Sequence, residues 1–176
     1  MEIINMYELN EPQLTQAAQM LTDEILKGWS TLDEAVQEIK DLMADEALLF
    51  AALEDSDVLG WCGILPEYDG KVYELHPLVV RHDQQRKGIG SKLLTAATER
   101  AREKGALTLM LGSDDQTGET SFGNVNLYDD LPGRIREFKP GTHPGAFYMK
   151  HGFTVVGVVP DANGKGKPDI IFAKAL

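Results

Sequence analysis

A chain of 176 residues is the size of one domain and can bury a substantial core. Its content of 43% hydrophobic and 26% charged residues is that of an ordinary globular protein, and no run approaches the ~20 apolar residues of a membrane span. A net charge of −11 argues against nucleic acid as the main partner, since phosphate neutralisation needs basic patches; it suits solubility and would equally attract a polycationic small molecule, and composition does not choose between the two.

Residues 2–8 are a candidate first strand. From Pro12, the apolar positions Leu14, Ala17, Ala18, Leu21 and Ile25 fall at helical spacing, and Gly28 is the expected stop. Thr31-Leu32-Asp33-Glu34 is a capping-box pattern, which predicts a second helix over Leu32 to Met43. The period then changes. Leu48 to Leu53 and Val58 to Leu65 flank a polar turn and predict an antiparallel hairpin. Cys62 lies in its second arm; a lone cysteine excludes an internal disulfide, reads as a buried small hydrophobe and fits a reducing cytoplasm. The first five residues have no basic stretch leading into an apolar one, so no signal peptide is expected.

Tyr68-Asp69-Gly70 turns into a strand over Val72 to Val80. An amphipathic helix begins near Ser91, uses Leu93, Leu94, Ala97 and Ala101, and stops at Gly105. Ala106 to Leu111 is a short strand, and a polar stretch from Gly112 to about His143 is too long for a simple connector. A short helix over Pro144 to His151 precedes strands over Phe153 to Val159 and Asp169 to Ala175. Lys165 and Lys167 fall in the hairpin between them, and His82, His143 and His151 show no metal-ligand spacing, so no metal is expected. With hairpins at both ends and no linker or repeat, residues 1–176 read as a single α/β domain, a largely antiparallel sheet covered by helices.

Between the strand ending at Val80 and the following helix stands Gln85-Arg86-Lys87-Gly88-Ile89-Gly90. Its glycines let the backbone approach a ligand closely, the helix start presents free N–H groups, and two basic side chains add charge. The arrangement reads as a diphosphate cradle.

The same six residues match every fixed position of the Gln/Arg-x-x-Gly-x-Gly/Ala signature, and Ala146-Phe147-Tyr148-Met149-Lys150-His151-Gly152-Phe153 resembles a second recurrent block, of the GNAT N-acetyltransferase superfamily. More narrowly, Glu74-Leu75-His76-Pro77-Leu78-Val79-Val80, Leu111-Gly112-Ser113-Asp114-Asp115, the run from Gly157 to Gly164 and Lys167-Pro168-Asp169-Ile170 resemble the aminoglycoside 6′-N-acetyltransferases of Gram-positive bacteria. The resemblance spans nearly the whole chain. It implies the GNAT fold, a mixed, mostly antiparallel central sheet of about seven strands with flanking helices and a splayed central strand pair. It also implies acetyl-CoA as donor, a cytoplasmic enzyme and a homodimer, with an exposed C-terminal strand as one support for pairing.

Strand period places Glu74, His76, Leu78 and Val80 on one face, and Pro77, lacking an N–H, interrupts the ladder. By the resemblance, Leu78 N–H binds the thioester oxygen as charge develops, Leu78, Val79 and Val80 line the pantetheine arm, and Gln85, Arg86, Lys87, Gly88, Ile89, Gly90 and Ser91 hold the diphosphate. An acceptor ammonium must lose a proton, and Glu74 and His76 are the candidate bases. Tyr148 is expected to serve the departing thiolate, and Trp29 resembles a substrate wall.

Between Gly105 and Gly133 there is no Lys or Arg, while Asp114, Asp115, Glu119, Asp129 and Asp130 all occur there. Asp114, Asp115 and, just beyond, Glu137 are therefore expected at a surface for a cationic small-molecule amine. The acceptor stays open between the 6′-amine of an aminoglycoside and another amine, such as a polyamine, a lysine side chain or a small metabolite. A non-catalytic CoA-binding regulatory domain is the third reading.

Overall fold

The computed structural model describes residues 1–25, 28–45 and 47–176. It divides into two compact units, residues 1–107 with Leu176, and residues 108–175. Among the described residues are seven strands, and every strand pairing within either unit is antiparallel.

In the first unit, strand β1 is Glu2–Asn5, shorter than expected because the Asn5 side chain accepts from Tyr7 N–H and starts a 3-10 turn over Met6–Glu8. Helix α1, Glu11–Glu24, is closed by a capping box between Asn10 and Gln13 and ends four residues before Gly28, with Ile25 already extended. Helix α2, Leu32–Ala44, has the Thr31–Glu34 capping box that the sequence predicts. Strands β2 (Leu48–Glu54), β3 (Asp57–Glu67) and β4 (Val72–Val80) complete a four-strand antiparallel sheet with β1. Helix α3 is Ile89–Glu103.

Strand β3 is buried on both faces. Trp61 donates from Nε1 to Ala17 O of α1 at 2.9 Å, whereas its neighbour Cys62 lies 3.7 Å from Leu93 O of α3, so α1 and α3 cover opposite sides. Cys62 is fully buried, which bears out its reading as core, and that burial pushes its thiol well above the ordinary pKa.

The β3–β4 ladder is interrupted. Cys62 pairs with Leu78 but Ile64 pairs with Leu75, so β4 carries one extra residue opposite Gly63, next to the cis His76–Pro77 bond. Gly63 is required there: a Cβ would stand 2.6 Å from His76 O and 2.7 Å from Leu49 Cδ2. Because side chains alternate, the extra residue swaps faces. Glu74 pairs with Leu65, which packs on the core under α1 and α2, while Leu78 pairs with Cys62 on the α3 side. The expectation that Glu74, His76, Leu78 and Val80 share a face is corrected accordingly; an unbroken period of two does not hold across the bulge.

In the second unit, β5 (Thr108–Asp114), β6 (Thr154–Val159) and β7 (Asp169–Ala175) form a sheet with β7 in the middle. The C-terminal strand is therefore interior here and β6 is the outer one, with Val156 and Val159 exposed. The long polar stretch contains a helix that the sequence does not announce, α4, Leu131–Arg136, capped by Asp130 on Gly133 N–H. Helix α5 is Gly145–Lys150.

Candidate active site

The turn from β4 into α3 has the features of an anion cradle. Arg86 and Gly88 both take positive φ, at 60° and 83°, and Gly88 is the N-cap of α3, where it offers no side-chain cap to the helix's first N–H groups. Those donors and the helix dipole face whatever lies beyond the loop. Lys87 Nζ donates to Gln84 Oε1 at 2.9 Å, and Arg86 is exposed. The residues present fit a diphosphate.

Glu24, at the end of α1, holds this turn in place. Its Oε1 accepts from His82 N–H at 2.8 Å and its Oε2 from Gln85 Nε2 at 3.0 Å. The same Gln85 nitrogen donates to Val80 O at 3.1 Å. The Gln85 side chain thus ties the start of the loop to both α1 and β4. Arg81 forms a fork with Asp83, 2.7 Å at the shorter contact, which holds the aspartate below the usual carboxylate range. Such an exposed pair adds little stability.

Backbone direction on β4 follows from one bond. Arg81 N–H donates to Leu59 O at 3.0 Å, so by antiparallel alternation Val79 also faces β3, while Leu78 and Val80 turn their N–H and C=O groups away from it. The Gln85 bond to Val80 O agrees with this.

The side chain of His76 meets α2. Its Nε2 lies 3.3 Å from Glu38 Oε1, and Trp29 Nε1 donates to Glu38 Oε2 at 3.2 Å, with the Trp29 ring 6.0 Å from the imidazole. Trp29 and His76, both singled out in the sequence, are brought together. Glu38 is a site residue that sequence reasoning missed. Its signal was a carboxylate at i+3 from Ala35 and i−4 from Leu42, within the buried stripe of α2 rather than on its solvent face.

In the second unit, the acidic stretch is first of all a scaffold for itself. Asp114 Oδ1 accepts from Asn163 Nδ2, Glu119 from Thr142 Oγ1 at 2.9 Å, Asp129 from Asn126 at 2.8 Å, and Asp130 from Gly133 N–H at 3.0 Å. Asp115 is fully buried, and its two oxygens accept from the N–H groups of Gly118, Glu119 and Thr120 and from the Thr120 hydroxyl, at 2.7–2.9 Å. We therefore assign Asp115 to the loop's own frame instead of the acceptor surface. Asp114 and Glu137 are exposed, but the cavity beside Glu137 is also lined by Arg134 and Lys139, so its charge is mixed.

Tyr148 packs edge-on to Phe147 and Phe153, at 5.2 and 5.8 Å between ring centres, and is half-buried. Buried His143 accepts Gly145 N–H on Nδ1 at 3.0 Å, so Nε2 carries the proton and donates to Asp114 O, also at 3.0 Å.

Residues 4–131 match the model of the acetyltransferase (GNAT) family, and the chain belongs to that family. A crystal structure of an aminoglycoside 6′-N-acetyltransferase complexed with coenzyme A is similar over 99% of this chain and 97% of its own, with 30% identity and a TM-score of 0.93. The aminoglycoside 6′-N-acetyltransferase from Enterococcus faecium is similar over the same shares at 30% identity and a TM-score of 0.91. The mycothiol acetyltransferase of Stackebrandtia nassauensis is 33% identical over 104 residues, 57% of this chain but only 33% of that protein's length. Among the described residues, no helix is long and apolar enough to cross a membrane.

Two outcomes are expected. Glu24→Ala should weaken coenzyme A binding by about tenfold in calorimetry, the scale of one lost charge-assisted hydrogen bond, with little change in melting temperature. Burial alone would raise the Asp115 pKa, but the bonds from Thr120, Glu119 and Gly118 outweigh it and hold the carboxyl below the ordinary value of 3.8. A folded-state value below the unfolded one adds stability that is present above pH ~4 and lost as pH falls through the lowered value. Asp115→Asn should thus cost about 1–3 kcal/mol in urea unfolding at pH 7, the gap narrowing as the pH drops below ~4.

Proposed function

We propose that this protein transfers the acetyl group of acetyl-CoA to the 6′-amine of aminoglycosides by direct attack in a ternary complex. The observation that carries the substrate class is the likeness, over nearly the full length of both chains, to two aminoglycoside 6′-N-acetyltransferases. The geometry supports the chemistry. When bound, acetyl-CoA supplies an acetyl group activated as a thioester.

The N–H groups from Arg86 to Ser91 hold the diphosphate, with Gln85 fixing the turn and Lys87 adding charge. Leu78 and Val80 direct backbone groups away from β3; Leu78 N–H takes the developing negative charge of the carbonyl oxygen and Val80 pairs with the pantetheine arm, whereas Val79, expected to line that arm, turns its backbone groups to β3. Glu74 and His76, with Trp29 as a wall, bind the incoming ammonium and remove its proton. The amine then forms the new N–C bond as the C–S bond breaks; the nitrogen sheds its remaining extra proton to give the amide, and the departing thiolate takes one up to give coenzyme A. The roles of Tyr148 as the donor to that thiolate, and of Asp114 and Glu137 as contacts for distal ammonium groups, rest on the matched blocks and the sign of the charge. So do the cytoplasmic setting, the drug-inactivating role and the homodimer, for which exposed Val156 and Val159 on β6 offer a surface. A single functional domain over 1–176 remains our reading, since the family match runs through the boundary at residue 107.

A second reading, acetylation of another amine such as a polyamine, lysine side chain or small metabolite, is favoured by the likeness of part of the chain to a mycothiol acetyltransferase. Thiol release from acetyl-CoA should be saturable with kanamycin-type aminoglycosides and weak with spermidine or lysine peptides. Turnover on the latter alone would overturn the aminoglycoside assignment.

Leu78→Pro removes an N–H that β3 does not use. It should lower turnover at saturating substrate by at least a hundredfold, on the scale of a lost oxyanion donor, while coenzyme A still binds. Unchanged turnover would refute the role given to that N–H.

A further inference from the structure

Glu38 touches two members of the proposed site from a separate helix. Its carboxylate is 28% exposed and the His76 side chain 44%, and their contact bridges α2 to β4. An ionised carboxylate has no proton to donate, so both nitrogens that meet it must donate. The indole N–H can do nothing else and pins Oε2 at 3.2 Å. The other oxygen then faces His76 Nε2 at 3.3 Å, so that nitrogen carries the proton and, in the neutral ring, Nδ1 is left with the free lone pair.

We infer that Glu38 is a positioning residue for acetyl transfer: braced by Trp29, it holds His76 with its proton on Nε2 and so assigns Nδ1 as the atom that takes the proton from the acceptor ammonium. This rests on the reading of His76 as the base. In the step, an N–H bond of the ammonium breaks and the Nδ1–H bond forms. The imidazolium carries both protons, with its Nε2–H still on the carboxylate, and the neutral amine keeps its lone pair for attack on the acetyl carbon.

The test uses the full chain. Two-dimensional 1H–15N correlation of the imidazoles should show His76 protonated on Nε2 alone in the native protein and a mixture of both tautomers in Glu38→Ala. Glu38→Ala should lower kcat about tenfold to a hundredfold, with KM for acetyl-CoA and the melting temperature unchanged. Added to His76→Ala it should cost nothing further, because groups that act as a unit are not additive. Glu38→Gln, which keeps one acceptor oxygen, should restore part of the loss. A native Nδ1–H tautomer, an imidazole spectrum indifferent to Glu38→Ala, or additive kinetic losses would each overturn the inference. If the tautomer depends on Glu38 but only amines other than aminoglycosides are acetylated, the positioning role stands and the aminoglycoside assignment falls.

Discussion

One extra residue in β4, set opposite Gly63, decides what this strand can do. Without it, Glu74, His76 and Leu78 would line one face and compete for the same space. With it, Glu74 and His76 are delivered to the side of α1 and α2, and the side chain of Leu78 goes to α3. The side chains proposed as bases and the backbone donor proposed for the carbonyl oxygen thus come from one short stretch without crowding each other. The arrangement needs a glycine on β3, because any Cβ at Gly63 would run into the displaced His76 carbonyl. Bulges that re-aim side chains are common beside active sites, and here the consequence can be traced residue by residue.

Around that strand the helices act through carboxylates as well as apolar packing. Glu24 from α1 clasps the turn before α3, and Glu38 from α2 reaches His76. Each is an acceptor on a rigid element, with both oxygens spoken for by separate donors. A helix is a better mount for such a group than a loop, since its neighbours on the buried stripe hold its backbone still. The proposed cofactor turn and the proposed base therefore inherit their placement from the core that seats α1 and α2, which runs through Ala17, Ala18, Leu21, Ala35 and Ile39.

Much of this was legible in the amino-acid order. Thr31–Glu34 closes α2 because a capping box is a local device, and Gln85–Gly90 makes its turn because the glycine at 88 permits a positive φ. The seven strands and their mostly antiparallel pairing followed from turn residues and alternation. What was not legible depends on partners far along the chain. The bulge shows only in the register against β3, and the Glu38–His76 contact spans 38 positions. The acidic stretch was misleading for a similar reason: counting charges cannot tell a carboxylate that faces solvent from one, like Asp115, that is spent on its own loop. Helix α4 is too short for any period to be visible, and the C-terminal strand's interior place needed the order of β5, β7 and β6.

The donor proposed at Leu78 belongs to the main chain, and that has a consequence for inhibition. Mutations that let an enzyme escape a drug usually do so by replacing the side chain the drug has gripped. An amide hydrogen is encoded by no side chain, and every codon change at position 78 except one to proline leaves it in place. A compound anchored on that N–H would face a target that ordinary substitution cannot remove, and the single substitution that does remove it would disarm the enzyme as well.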